Sequence, residues 1–209
     1  MSSPRTTTAH AILGLLSLRS WTTYELAKQV QRSLGWFWPR AERKLYDEPK
    51  RLVEEGLASS EREMTGARPR TVYSVTPKGR EALRQWLDQA PEPPTLEFEG
   101  MIKVFFADAG TLEQLRATLT SIAGTAEARL AELQAKADEL AGSEVAFPAR
   151  AHLNSLGLRF HFDNERSIAA WARWALDQTA TWRSTTDHGS WDHRGALSFG
   201  TESQRRSRP

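Results

Sequence analysis

Cations and one phenol recur along residues 39–56 at a spacing suited to binding a polyanion. If this stretch forms a helix, its charged and apolar side chains fall on opposite arcs. The charged arc, which also holds Asp47 and Glu54, carries Arg40, Arg43, Lys44, Tyr46, Lys50 and Arg51. The other arc carries Ala41, Leu45, Pro49, Leu52 and Val53. Guanidinium and ammonium groups pair with phosphates and reach base edges, so the pattern is that of a helix lying in a DNA groove.

A solvated helix also carries a charged outer face, so the elements around this stretch decide how it is interpreted. Apolar spacing predicts a first helix over Thr8–Leu18. Thr22 and Glu25 fit a capping box at the start of a second helix, which Gly35 ends. Pro39 suits the first position of a third helix. The predicted order is helix, turn, helix.

A basic hairpin is predicted after these helices. Leu57–Thr65 and Arg70–Val75 have the composition of two strands, and residues 66–69 have that of a turn. Arg68 and Arg70 therefore lie at or beside the tip, where they would contact the DNA backbone or minor groove.

The next predicted element is a helix over residues 78–89, capped by Thr76. Three helices, a two-stranded wing and a further helix make a winged helix-turn-helix. Pro49 interrupts the third helix, because an interior proline removes a backbone hydrogen bond and clashes with the preceding turn. We expect a kink or a local break there.

The C-terminal half is predicted to be helical and to form a dimer. After a proline-rich linker, apolar residues from Leu112 to Leu140 recur with an average spacing of 3.5, typical of a coiled coil. A second long helix is expected over residues 149–183, with an irregularity at Asp163. Such a hairpin leaves apolar surface for a second subunit. The residues predicted for dimerisation are Leu112, Leu115, Leu119, Ile122, Leu130, Leu133, Leu140, Ile168, Trp171 and Trp174.

Composition and charge narrow the class of protein. The chain has no cysteine, which excludes disulfides, thiolate catalysis and the usual thiolate zinc site. It has no 18-residue apolar run and no signal-peptide pattern, so we expect a cytoplasmic protein without membrane contact. Net charge is +5 over residues 1–90, −5 over 91–187 and +2 over 188–209. The net charge of +5 over residues 1–90 is suited to contacts with a few phosphates.

Nothing in the sequence indicates an enzyme or a cofactor. The five histidines are scattered, and no nucleophile elbow, phosphate loop or paired metal-ligand motif is present. His188 and His193, with the neighbouring Asp187 and Asp192, offer metal-binding groups, but they stand in a polar tract without periodicity. We therefore assign no metal site and expect residues 188–209 to be a disordered tail.

A set of short motifs spans residues 12–83: Ile12-Leu13-Gly14-Leu15-Leu16, Tyr24-Glu25-Leu26, Leu45-Tyr46, Arg51-Leu52-Val53-Glu54-Glu55-Gly56-Leu57, Arg70, Tyr73, Thr76-Pro77, Gly79 and Leu83. In these residues and their spacing the chain resembles PadR-type transcriptional regulators. The resemblance implies a mainly α protein with a helical C-terminal dimerisation domain, similar to the subgroup in which that domain is long. It also implies flat aromatic effectors held between aromatic side chains, for which Trp36, Trp38 and Trp86 are the candidates.

These observations predict a winged helix-turn-helix DNA-binding domain (1–90), a helical dimerisation domain (91–187) and a tail (188–209). The expected function is a dimeric, ligand-responsive transcriptional repressor that binds a pseudo-palindromic operator in double-stranded DNA. The alternative is a helical scaffold protein that uses the winged domain for protein contacts. The cations of residues 40–51, with Arg68 and Arg70, favour the regulator, because a scaffold does not need them.

Overall fold

The N-terminal part of the chain is built around a helix whose side chains are mostly apolar. The computed structural model describes residues 5–34, 45–65, 68–142 and 147–198, apart from the side chains of Thr65 and Arg68. The chain divides into two compact units, Met1–Pro94 and Thr95–Pro209. The elements of the first unit are α1 (Thr7–Leu18), β1 (Trp21–Thr22), α2 (Thr23–Ser33), α3 (Glu48–Glu54), β2 (Ala58–Thr65), β3 (Arg68–Val75) and α4 (Pro77–Leu87).

Helix α1 is the centre of the first unit. Ile12, Leu13 and Leu16 are at most 2% exposed, and α1 contacts α3, α4 and β3. The Trp21 indole, also buried, donates a hydrogen bond of 2.7 Å to the Leu15 carbonyl near the end of α1. Burial of these side chains supplies the main favourable free energy of the unit.

Side-chain caps begin α2 and α4 where the sequence predicts them. The Glu25 amide donates to the Thr22 hydroxyl, and the Thr22 amide donates to the Glu25 carboxylate, which confirms the predicted capping box. The Thr22 amide and hydroxyl both donate to the Glu25 carboxylate, and these two bonds, with the nearby Arg19 charge, lower the pKa of Glu25. At α4 the Gly79 amide donates to the Thr76 hydroxyl.

The sheet has three strands in the order β1-β3-β2, all antiparallel. Strands β2 and β3 pair from Ala58 opposite Val75 to Thr65 opposite Arg68, which confirms the two-stranded wing. The prediction that residues 66–69 form the turn was wrong at its end, because Arg68 and its neighbour already belong to β3. The short strand β1, which pairs Trp21 with Tyr73, was not predicted.

Gly79 fits α4 closely against the base of the wing. A Cβ atom at this position would lie 2.0 Å from the carbonyl oxygen of Leu57. The same oxygen accepts a hydrogen bond of 3.1 Å from the Thr76 amide. Any larger residue at position 79 would therefore displace the first turn of α4 from the hairpin.

The position of Pro49 differs from the predicted helix interior. A turn spans residues 45–47, and α3 begins at Glu48, so Pro49 lies in the first helical turn. A proline is well accommodated there, because the first amides of a helix have no intrahelical acceptor. The described helix therefore begins at Glu48, and the rest of the predicted helix before residue 45 lies outside the described residues.

The second unit is a helical hairpin with smaller helices at its ends. Its elements are α5 (Glu99–Phe105), α6 (Leu112–Ala141), α7 (Ala151–Thr179) and α8 (His193–Ala196), with 3-10 turns at Ala107–Ala109 and Pro148–Arg150. Helices α6 and α7 pack along each other, and the cluster Ile122, Ala123 and Ala172 lies between them. None of the described helices is long and apolar enough to cross a membrane.

Two expectations about this unit were wrong. Helix α7 continues through Asp163 without an irregularity, and the Asp163 carboxylate pairs with Arg159 and Arg166 on its own helix. The described part of the predicted tail, residues 188–198, is structured: the Trp191 indole donates to Gln178 at 2.8 Å and packs 5.2 Å from the Trp182 ring. Residues 199–209 of that tail lie outside the described residues.

We predict that stability of the first unit falls as the solution is acidified. Burial lowers the pKa of His10 below its ordinary value of 6.5, although a hydrogen bond to the Thr6 backbone opposes the shift. The unfolded chain therefore takes up this proton more readily, and stability is lost as pH falls from about 7.5 to 5.5. His10→Phe, which keeps the stacking on Trp86, should flatten that loss.

Thermal unfolding followed by circular dichroism at the two pH values checks this, with the exposed His152→Gln as control. Glu25 and Glu55 also have lowered pKa values, but as carboxyl groups they destabilise the fold only at lower pH. An unchanged pH dependence in His10→Phe would contradict the prediction.

Candidate nucleic-acid interface

The apolar side of α3 is buried, which turns its polar side to solvent. Leu45 and Leu52 are each 1% exposed and Pro49 is buried, because α3 packs against α1 and β2. Lys50, on the other side of α3, and Tyr46, in the turn before α3, are exposed. The two arcs predicted from the sequence are thus separated as expected for these described residues.

Lys50 is well placed to contact phosphate. Its side chain is 64% exposed, and its ammonium lies 3.3 Å from the carboxylate of Asp47. An exposed ion pair of this kind contributes little and exchanges readily for another anion. The neighbouring Tyr46 is 57% exposed and presents a hydroxyl that can donate to a phosphate or a base edge.

Arg51 is held by two carboxylates of its own helix region. Its Nε lies 3.1 Å from Glu55, its Nη1 lies 3.8 Å from Glu48, and Glu55 also accepts from Arg5 at 3.0 Å. Burial by itself would raise the pKa of Glu55, but the hydrogen bonds from Arg5 and Arg51 lower it. Glu48 is only 5% exposed and lies 3.5 Å from the Thr6 hydroxyl. We call Arg5, Glu48, Arg51 and Glu55 the α3 clamp, since they join α3 to the segment before α1.

One of the two arginines predicted for the wing, Arg70, is paired with a carboxylate. The Arg70 guanidinium donates to Glu63 on the paired strand at 2.7 and 3.1 Å. Arg68 has its backbone in β3, and its side chain is not among the described ones. Arg62 on β2 is exposed and adds a cation that the sequence interpretation did not select.

The exposed face of α2 was also missed. Tyr24, Lys28 and Arg32 follow one another at four-residue spacing and are exposed, while Leu26 and Val30 are buried on the opposite side. No ion pair among the described residues involves Lys28 or Arg32. The same helical-arc test that selected residues 40–51 would have found them.

The other predicted binding residues are only partly placed. Arg40, Arg43, Lys44, Trp36 and Trp38 all fall outside the ranges that the structure describes. Trp86 is half-buried and stacks on His10, with ring centroids 4.8 Å apart and an interplanar angle of 3°. One face of this indole is therefore already covered.

The residues predicted for dimerisation occupy different environments. Leu115, Leu119, Ile122 and Leu133 are at most 8% exposed within the single chain. Those that are half-buried are Leu112, Leu130, Leu140, Ile168 and Trp171. Trp174 is 44% exposed. Most of the coiled-coil stripe thus belongs to the core of one chain.

The histidines near the C-terminus do not gather into a metal site. The rings of His188 and His193 are 6.1 Å apart, and Asp187 and Asp192 accept hydrogen bonds from backbone amides. Across the described ranges, no group of three or more histidines and carboxylates is arranged to hold a metal ion.

The order of elements, the wing and the exposed cations of α2 and α3 define a winged helix-turn-helix protein of the transcriptional-regulator class. The model of the transcriptional regulator PadR-like family matches residues 12–85, and that of the virulence activator alpha C-terminal domain matches residues 99–179. Residues 12–85 therefore carry a PadR-like domain, and the PadR-like family consists of transcriptional regulators, not enzymes.

Individual relatives agree with this assignment. The negative transcriptional regulator PadR of Bacillus subtilis is 25% identical over 166 residues, which cover 78% of this chain and 91% of that protein. Its crystal structure with operator DNA has a TM-score of 0.74 at 25% identity, covering 84% of this chain and 99% of that one. The scaffold alternative receives no support from these relatives.

Two further structures show how far the similarity extends. The Bacillus PadR in complex with p-coumaric acid has a TM-score of 0.64 at 23% identity, over 83% of this chain and 97% of that one. The Vibrio cholerae virulence activator AphA has a TM-score of 0.63 at 27% identity, over 82% of this chain and 96% of that one. Both cover the two compact units.

We predict that two adjacent cations of α3 behave differently when removed. Arg51→Ala should lower the unfolding midpoint, because it leaves the buried Glu48 without its cation. Lys50→Ala should leave the midpoint unchanged and weaken binding to duplex DNA. For DNA binding by Lys50→Ala, the slope of log K against log salt concentration should become less steep. The expected change is about 0.9 for each phosphate that the variant no longer neutralises.

Urea unfolding and fluorescence anisotropy at several salt concentrations measure the two effects. Equal stability of the two variants would show that the α3 clamp does not hold the helix. An unchanged salt slope in Lys50→Ala would remove Lys50 from the interface.

Proposed function

We propose that this protein is a DNA-binding transcriptional repressor that acts as a homodimer on a pseudo-palindromic operator. The observation that carries the proposal is the exposure of Lys50 on α3 and of Tyr46 in the turn before it, together with the exposed cations Lys28 and Arg32 on α2. In helix-turn-helix proteins the second helix enters the major groove while the first crosses the backbone. The similarity to a relative solved with operator DNA supports this arrangement.

The proposed contacts with DNA fall into two groups. Tyr46 and Lys50, with Arg40, Arg43 and Lys44, are the groups we assign to the major groove and its phosphates. The wing residues Arg62, Arg68 and Arg70 are assigned to the flanking backbone or minor groove. Arg70 must exchange its bond to Glu63 for phosphate, so we expect it to contribute less than an unpaired arginine would.

A dimer follows from the apolar surface that the second unit leaves exposed. Leu153, Leu156 and Phe160 on α7 are 47%, 70% and 64% exposed, and Phe105 and Phe106 at the end of α5 are 79% and 61% exposed. Leu153, Leu156 and Phe160 share one face of α7, and monomeric proteins rarely expose a contiguous patch of such large apolar side chains. A second copy of the chain would cover them, while the buried stripe of α6 stabilises each subunit.

Regulation by a small aromatic effector is the other part of the proposal. The Bacillus relative is a negative regulator and has been solved with p-coumaric acid, which supports repression relieved by a small molecule in this chain. Trp36, Trp38 and Trp86 stay the candidate residues, although His10 already stacks on Trp86. The protein would work in the cytoplasm, where bacterial-type operators lie.

We predict that Leu156→Glu separates the dimer without unfolding the chain. Leu156 is 70% exposed, so a carboxylate there costs nothing in the monomer but is destabilising in an apolar interface. Light scattering should show the mass of one chain, 23.5 kDa, and DNA affinity should fall because one winged domain contacts one half-site. Asn154→Glu adds the same charge at a nearby exposed polar position of α7 and serves as control.

A wild-type mass of 23.5 kDa at micromolar concentration would refute the dimer. The function itself is tested by anisotropy with the upstream DNA of the protein's own gene. We expect binding to a duplex with two inverted half-sites and much weaker binding to a single half-site. Equal affinity for unrelated duplexes of the same length would overturn the operator proposal.

A further inference from the structure

The second unit contains a cavity of about 470 Å³ between α5, α6 and α7. This volume lies in the range of small-molecule sites, about 300–1,000 Å³. Helix α5 approaches α6 closely at Gly100, where a Cβ atom would lie 2.8 Å from Cδ1 of Ile122 and 2.9 Å from the Phe98 ring. Because Gly100 has no side chain, Phe98 and Ile122 can approach each other and form one wall of the cavity.

The lining is amphipathic. Phe98, Ile122 and Ile168 supply apolar surface. Hydroxyl groups come from α6 at spacings of three and four residues, which place them on one face of the helix: Thr118, Ser121 and Thr125. A cavity with an apolar wall and a row of hydroxyls suits a ligand that is itself part apolar and part polar.

Glu165 supplies the buried charge of this cavity. Its side chain is 9% exposed, and its Oε1 accepts a hydrogen bond of 3.2 Å from Arg129. Its Oε2 is buried and has no hydrogen-bond partner in the described part of the chain. Buried carboxylate oxygens without a donor are destabilising, and most are completed by a protein group, a water molecule or a ligand.

The remaining charges of the cavity are already matched. Lys103 pairs with Glu99 at 3.0 Å, and both side chains are mostly exposed. Arg129 is engaged by Oε1 of Glu165. The unmet requirement is thus a donor for Oε2. A protonated amine supplies both a hydrogen bond and a positive charge, an alcohol supplies only the bond, and a carboxylate would be repelled.

We propose that this cavity binds a small amphipathic amine, with its ammonium on the Glu165 carboxylate, which turns toward the cavity on binding, and its apolar body against Phe98, Ile122 and Ile168. The binding itself is independent of the proposed DNA function. Only its consequence, a change in operator affinity, rests on that function. The site lies entirely in the second unit and uses none of the tryptophans assigned above to an aromatic effector.

The test compares three probes that share one body: 4-phenylbutylamine, 4-phenylbutanol and 4-phenylbutanoate. Isothermal titration calorimetry is carried out with the full chain in the absence of DNA. We expect the amine to bind at least about tenfold more tightly than the alcohol, a difference typical of one charge-assisted hydrogen bond. The carboxylate should bind most weakly.

Variants locate the site. Glu165→Gln should abolish the preference for the amine while keeping an acceptor for Arg129. Glu127→Gln is the matched control, because Glu127 also joins α6 to α7, through Arg173 at 2.8 Å, but does not line the cavity. Ser121→Leu, at an exposed lining position, should weaken all three probes by narrowing the cavity.

The outcomes separate this inference from the DNA function. Absence of amine binding by wild-type protein that binds operator DNA would overturn the inference alone, and a water molecule would then complete Oε2. Equal binding of amine and alcohol, or the same amine affinity in Glu165→Gln and Glu127→Gln, would also overturn it. Amine binding by a protein that binds no DNA would overturn only the proposed function.

Discussion

Burial of helix α1 is the constraint on which the arrangement of the first unit depends. Ile12, Leu13 and Leu16 need apolar partners, and α3, α4 and β3 supply them. Since α3 gives its Leu52 side to this core, Lys50 on the opposite side must face solvent. A cationic surface is thus a consequence of packing as well as of composition. The close approach of Gly79 to the Leu57 carbonyl lets α4 pack directly against the base of the wing.

The cations of α3 serve two purposes. Lys50 forms one exposed ion pair with Asp47, which solvent and salt weaken. Arg51 instead bridges Glu55 and the buried Glu48, and Arg5 extends this clamp to the segment before α1. Removal of Arg51 would therefore affect binding through the position of the helix. This distinction matters when a weak DNA-binding variant is interpreted, because affinity alone does not separate a missing phosphate partner from a displaced helix.

The second unit uses its heptad-like stripe within the chain. Leu119 and Leu133 are 1% exposed, so they stabilise the hairpin of α6 and α7. Large apolar side chains are exposed instead on the first half of α7, at Leu156, and at the end of α5, at Phe105. The same hairpin lines the Glu165 cavity together with α5. Subunit pairing and ligand binding would thus depend on one small group of helices.

The sequence alone determined the features whose causes are local. The capping box of Thr22 and Glu25, the cap at Thr76 and the apolar periods of the helices each act within a few residues, and all were predicted. Tertiary structure decided the features that join distant residues. Pairing of Trp21 with Tyr73, the α3 clamp from Arg5 to Glu55 and the cavity around Glu165 depend on packing between separate elements. The spacing of apolar residues shows which side chains share a face of a helix. Only packing decides whether that face contacts its own chain, solvent or another molecule.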